Sequence, residues 1–328
     1  MKKLIGSCVV AVGVGILTIT SAWAQVREVR IASHVSELSP LHAQSKMFAN
    51  EIEKKLPGQF EFKLFPGGQL GKEKALIANI QAGSLEMINV ASGIMKLDKK
   101  LGVFDLPWLF NDRAHVQRAM KAGLEDAVRA RIEEVGGMKV IGVYENGFRH
   151  VINSKRTVKT PADLDGLKIR ISGGKFRQGV FQKMGATPQK VSWGETFTAL
   201  QSGVVDGAEA AAYGFYEQKH FEVATHLSAT GHVYTPSFLV ASNAFFASLT
   251  PEQQKVFTEV GKAITDAAYE KSAELENQYL TEMKEKLEVN TVDLKAFQEA
   301  TASSYEDYTS SQGDEYLKFV NDTSNLGN

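Results

Sequence analysis

The sequence predicts an α/β protein built as two lobes, and three observations lead there. Strand-like and helix-like runs alternate from residue 26 to about 246, the pattern of crossover units on parallel strands. Roughly 300 residues follow a leader-like N terminus, enough for two cores. Finally, one helical pattern from Pro251 to about Glu288 would reach roughly 55 Å if unbroken. No single lobe is that wide, so this helix is expected to brace both.

Taken in order, "VREVRIASH" (Val26 to His34) reads as a strand. Ser39 and Pro40 then supply the cap and first turn of a helix through Ala43, Phe48 and Ile52. "FEFKLFP" alternates strictly and stops at the turn "PGGQLG". A helix over Lys72 to Ala82 and the short strand "MINVAS" follow. "GVFDLPWLF" (Gly102 to Phe110) reads as an apolar loop covering the core, and a helix spans Val116 to Val135. "MKVIGVYENG" is expected to be the last strand before the chain changes lobe near Asn146 to His150.

The second lobe repeats the logic. Strands "FRHVIN" and "LKIRIS" precede a helix over Phe176 to Met184, the strand "TPQKVS", and a helix capped by Ser192 with Glu195 three residues on. "GVVDGAEAAAYG" reads as strand and loop, "SFLVASNAFF" (Ser237 to Phe246) as a return strand. Thr250 and Pro251 open the long helix.

Composition fixes the compartment and excludes several functions. Lys2 and Lys3, an uncharged apolar stretch from Leu4 to Thr20 and Ala22-Trp23-Ala24 form a cleavable secretory signal peptide over residues 1–24; a membrane anchor is the alternative for so apolar a segment. Cys8, the only cysteine, lies within it, too close to the lysines for a lipoprotein site, so an exported chain without disulfides depends on its core. The full sequence has 37 basic and 38 acidic residues; losing Lys2 and Lys3 leaves 35 against 38, a net charge of −3. No basic stripe for nucleic acid and no polybasic membrane patch is present, and no later segment is long and apolar enough to span a bilayer. "SGGKFRQG" lacks the order of a phosphate-binding loop, no G-x-S-x-G elbow occurs, and the seven histidines show no metal-ligand spacing. No catalytic residue, cofactor or metal is expected.

What remains is "DLDGLKIRIS" (Asp163 to Ser172), where Leu167, Ile169 and Ile171 alternate with Lys168, Arg170 and Ser172. Arg149, in "NGFRHV", lies just upstream. A guanidinium offers a fixed planar fork of donors that meets both oxygens of a carboxylate and keeps its charge at any working pH. Most such arginines are simply solvated.

The run from "NGFRHVIN" through "GLKIRIS", "MGATPQKVSWGE" and "ETFTALQSGVVDGAEAA" resembles the signature region of solute-binding proteins of tripartite ATP-independent periplasmic (TRAP) transporters, of the dicarboxylate-binding-protein type. "FPGGQLGKEKALIANIQAGSLEM", "FDLPWLF" and "LTPEQQKVF" look like further family segments, so the likeness spans the chain beyond the leader. The resemblance implies a two-lobed periplasmic binding protein fold with an interlobe ligand cleft, divided as lobe I at 25–148, lobe II at 149–246 and bracing helices at 247–328. It implies a periplasmic receptor that closes on a small organic acid and delivers it to TRAP membrane subunits driven by a cation gradient.

Residue by residue, Arg170 of "GLKIR" matches the family arginine that pairs with the ligand carboxylate, and Arg149 a position where some members have a second one. Trp193 matches an aromatic position over the ligand. Ser33, His34 and Val35 fall where the first lobe contributes polar contacts, with Ser92 a weaker case. Ala210 stands where the family often has an asparagine that helps hold the carboxylate; Tyr213, Tyr216 or a water would have to replace its amide. Asp206 and Glu209 read as structural, since a carboxylate facing an anion repels it, and Phe148 as core. An enzyme on the same scaffold, or a receptor feeding a sensor kinase, are the rival readings. The long helix shows no clear heptad seam, so a monomer is expected.

Overall fold

Alternation within short apolar runs yields nine strands among the described residues, 26–324, of this computed structural model; the expected signal peptide lies outside them. In the first half, β1 (Arg27–Ala32) turns Val29 and Ile31 into the core and pairs in parallel with β2 (Phe60–Phe65) and β3 (Met87–Val90), a strand buried along its whole length. The helix Pro40–Lys55 crosses between β1 and β2; Ser39 caps it, its hydroxyl accepting from the His42 amide at 3.2 Å. β4 spans Met138–Asn153. In the second half, β5 (Lys168–Ile171) lies between β6 (Thr187–Lys190) and β7 (Gly207–Ala211), parallel to both. β8 covers His226–Ser242, and β9 (Glu288–Asn290) adds a short parallel pairing to its start. The sheet order is β2-β1-β3-β8-β4-β7-β5-β6.

The link between the halves differs from expectation. The two strands expected on either side of Asn146 to His150 are one, the 16-residue β4, and the return strand begins eleven residues earlier than Ser237 to form the 17-residue β8. Both are about 50 Å long at ~3.3 Å per residue. They pair antiparallel to each other and pass through both halves, β8 flanking β3 at one end and β4 flanking β7 at the other. Register shifts at Val140/Gly142, Glu145/Gly147 and Arg149/Val151 interrupt the pairing, and Gly147 adopts φ 122°, a backbone that side chains disfavour. These bulges break the period-2 pattern, which is why the sequence reads as two strands.

The bracing helix is also modified. It runs as Pro251–Ala263 and Thr265–Lys284, with Ile264 at the break. Thr265 and Asp266 follow, residues that favour starting a helix over continuing one. Its start is a capping box, Thr250 Oγ1 accepting from the Gln253 amide (3.2 Å) and Gln253 Oε1 from the Thr250 amide (2.9 Å). Both segments lie on β4: Tyr144 donates its hydroxyl to the Gly261 carbonyl (2.9 Å), and Ser272 donates to the Glu145 carbonyl (3.2 Å). "FDLPWLF" covers the first core with Phe104, Leu106, Leu109 and Phe110, and Phe148 packs edge-on to Tyr234 at 5.3 Å.

Gly261 makes this contact possible. A Cβ there would stand 2.1 Å from the Ile141 carbonyl oxygen, a backbone atom that cannot step aside. Gly261→Ala is therefore expected to lower stability by roughly 1–3 kcal/mol through overpacking, despite a helix-propensity gain of about 1 kcal/mol. Urea unfolding checks this; a variant as stable as the parent would contradict the packing.

Candidate functional site

The parallel strands of both halves end at a common crevice, the place where open α/β sheets collect their ligands. A cleft of about 680 Å³ lies there, within the ordinary range for a small-molecule site. The loop after β1 lends it His34 and Val35, the loop after β3 lends Ser92 and Lys96, and Glu73 enters from the start of the helix Glu73–Gln81. From the other half come Arg170 and Ser172 at the end of β5, Trp193 after β6, and Ala210 and Tyr213 at and beyond the end of β7.

Arg170 is 3% exposed. Nε donates to the Val191 carbonyl at 3.0 Å, and the guanidinium carbon lies 5.1 Å from the Trp193 ring centroid. Buried Nη1 has no acceptor among the described residues. Loss of water pulls the pKa below the usual guanidinium value, to about 10; repulsion from Arg149 and Arg177 adds to the shift, while Glu209 and Glu73 oppose it. The side chain stays charged at neutral pH, in a setting that is short of an anion.

Arg149 reaches the cleft in a different condition. Its Nε donates to Glu209 Oε2, and Nη2 donates to Ser172 Oγ (2.9 Å) and the Glu209 carbonyl (2.8 Å). Its charge is thus matched within the protein. Glu209 is fully buried and also accepts from the Ser172 amide (2.7 Å) and hydroxyl (2.8 Å), with Arg177 at 3.5 Å. Burial alone would raise its pKa, but Arg149, Arg177 and the hydrogen bonds hold it well below the carboxylate range. Arg177 in turn pairs with Asp105 at 2.7 Å. Asp206 stays out of the cleft, accepting from the Lys168 amide at 2.9 Å.

Trp193 joins the halves. Its ring packs with Val35 and Ala91, and its Nε1 donates to Glu217 Oε1 (3.0 Å), whose Oε2 accepts from the Ser36 hydroxyl (2.8 Å) and amide (3.2 Å). Gly214 admits the indole: a Cβ there would lie 3.0 Å from it. Ser92 Oγ approaches Ser172 Oγ at 3.4 Å across the cleft. Ser192 does not cap the backbone as expected; its hydroxyl donates to the Glu195 carboxylate, after a 3-10 turn at Trp193–Glu195.

Of the residues expected here, His34, Val35, Ser92, Arg149, Arg170, Trp193, Ala210 and Tyr213 line the cleft. Val35 does so with an apolar side chain rather than the polar contact expected of its position. Ser33 does not line it: its amide donates to the Phe65 carbonyl (2.9 Å) and its carbonyl accepts from Gly68 (2.9 Å), tying it to the edge of β2. Tyr216 is also outside, stacked on Tyr279 with centroids 4.5 Å apart. Tyr213 donates its hydroxyl to Asn146 Oδ1, and Asn146 is itself a lining residue, so a side-chain amide is present in the cleft although Ala210 has none.

Asn146, Glu73, Lys96 and Ser172 also line the cleft but were not expected as site residues. Asn146 lies in the quoted "NGFR", so its signal was present. Glu73 reads as an ordinary acidic residue in a first helical turn. Among the described residues, no three or more His, Cys, Asp or Glu side chains gather to hold a metal ion, and no helix is long and apolar enough to cross a membrane.

Residues 31–312 match the model of the bacterial extracellular solute-binding protein family 7. The chain is 30% identical over 314 residues to the 2,3-diketo-L-gulonate-binding periplasmic protein YiaO of Escherichia coli, covering 94% of this chain and 95% of that one. It superposes on a TRAP periplasmic solute-binding protein from Sulfitobacter with bound β-D-galacturonate, with TM-score 0.84 and 29% identity over 91% of this chain and all of the other. A sugar acid binding protein from Advenella mimigardefordensis in complex with galactonate gives TM-score 0.87 and 26% identity, covering 93% and 99%. With its strands, cleft and nearly full-length match in agreement, the chain belongs to the family 7 bacterial extracellular solute-binding proteins, those of TRAP transporters.

Proposed function

We propose that this protein captures a small organic acid anion in the periplasm, using the Arg170 guanidinium to hold its carboxylate, and hands it to TRAP membrane subunits. The observation that carries this reading is the buried Nη1 of Arg170, without a protein acceptor and beneath the indole of Trp193. The similar proteins point the same way, since 2,3-diketo-L-gulonate, galacturonate and galactonate all present a carboxylate. Lobe I (25–148) and lobe II (149–246) close on the ligand as a monomer exported by its signal peptide, with 247–328 bracing both. Contacts such as Trp193 with Val35 and Glu217 with Ser36 join the halves, so a ligand touching both walls favours the closed form by its differential affinity. No step of chemistry on the ligand is involved, and no cofactor.

A thermal-shift screen against organic acids tests this. At a hundredfold excess over Kd, binding stabilises by about 2.7 kcal/mol, or roughly 4 °C for a chain of this size. A panel of aldonates, uronates, keto acids and dicarboxylates that leaves the melting temperature unmoved would contradict the reading.

A further inference from the structure

The lobe I wall of the cleft carries a carboxylate built into place. Glu73 Oε1 accepts from the Ala91 amide at 3.0 Å, the Gly93 backbone lies close against the carboxylate, and His34 Nε2 stands 3.8 Å away. Gly93 is required for this fit: a Cβ there would lie 2.6 Å from Glu73 Cδ. Burial opposes the charge, yet His34, the Gly93 and Ala91 backbone, and Lys96 together hold the pKa below the ordinary carboxylate value. The group is therefore an anion, 19% exposed, and with the Ala91 amide as its one hydrogen-bond donor among the described residues it keeps acceptor positions for a ligand.

The charges of the cleft settle what such a wall admits. Arg149 and Arg177 are matched by Glu209 and Asp105, Lys72 pairs with Glu195 at 2.5 Å, and Lys96 is an exposed side chain on which Glu73 acts only at a distance. Lys74 and Lys190 are exposed lining residues, where solvent screens them. Burial lowers the pKa of His34 and favours its neutral imidazole; Glu73 opposes the shift, while Arg170 and Arg149 add to it. Among the described residues this leaves one buried cation without a matching carboxylate, Arg170. A single positive pole on one wall and a fixed hydrogen-bond acceptor on the other suit a ligand with one carboxylate and several hydroxyl groups. A second carboxylate would meet Glu73.

We propose that the cleft selects a hydroxylated monocarboxylate of aldonate or uronate type over a dicarboxylate, and that Glu73 is the residue that decides. This rests on the carboxylate-binding role of Arg170 proposed above.

Isothermal titration of the mature protein with galactonate, gluconate, galacturonate and glucuronate against succinate, malate and fumarate tests it. The best hydroxylated acid is expected to bind at least tenfold tighter than any dicarboxylate. Glu73→Gln, which keeps the shape and removes the charge, is expected to weaken that acid about tenfold or more and to narrow the gap to the dicarboxylates. Gly93→Ala, which retains the charge but displaces it, is expected to weaken the hydroxylated acid as well; thermal melting of both unliganded variants controls for folding. A dicarboxylate bound as tightly as the best hydroxylated acid, or an unchanged affinity ratio in Glu73→Gln, would overturn the assignment of Glu73 while leaving Arg170 as carboxylate binder intact. Failure of every acid to bind would overturn both.

Discussion

Replacing Arg170 by alanine is expected to lower affinity for the captured acid at least a hundredfold while leaving the unliganded protein as stable as before, or more so. The first effect follows from hydrogen bonds to a charged group, about 1.5–3 kcal/mol net, plus the cost of leaving a desolvated anion without its partner. The second follows from the free protein. Arg170 is buried with Nη1 unsatisfied, and loss of water lowers its pKa to about 10, so burial works against its charged form in the free protein. Removing that group relieves the protein. A structural arginine behaves in the opposite way, so melting and titration of one variant separate the two roles. Loss of stability in Arg170→Ala with affinity retained would contradict the site. Arg170→Lys is expected to recover only part of the affinity, because an ammonium lacks the planar fork.

Glu209→Gln is expected to cause the largest loss of stability, about 3–5 kcal/mol, since it leaves Arg149 without its counter-charge and Arg177 with Asp105 alone. The pH dependence carries a signature. A carboxylate whose pKa is depressed by folding contributes its full stabilisation above the unfolded value near ~4.3, and loses it as pH falls toward the folded pKa. The parent protein is therefore expected to lose stability below about pH 4.5 more steeply than the variant. Chemical denaturation between pH 3 and 8 reads both slopes; parallel curves, or a Glu209→Gln protein as stable as the parent at pH 7, would show that the ion cluster is not what holds the second half together.

Much of the site was legible because its cause is local. Arg170 follows from a strand in which polar residues alternate with Ile169 and Ile171, although β5 is covered on both sides and Arg170 is buried rather than merely turned outward. Glu209, read as framework from one electrostatic argument, lies fully buried between Arg149 and Arg177. What escaped depends on distant partners. Glu73 is defined as a site residue by Gly93 and His34, neither of which is its neighbour in sequence. Tyr213 and Tyr216 look alike on one short helix, and only Tyr279, on the bracing helix, captures the second. Arg149 carried the right motif, yet its pairing with Glu209 requires β4 and β7 to lie side by side. The fusion of two expected strands into β4 was hidden by bulges that interrupt its alternation.

A crystal structure of the protein with a tightly bound organic acid is the most direct measurement of the central claim. The ligand carboxylate is expected within hydrogen-bond distance of Arg170 Nη1, under Trp193, with the rest of the molecule extending toward Glu73 and His34. A carboxylate held elsewhere in the cleft, with Arg170 contacting only Val191 and the indole, would contradict it.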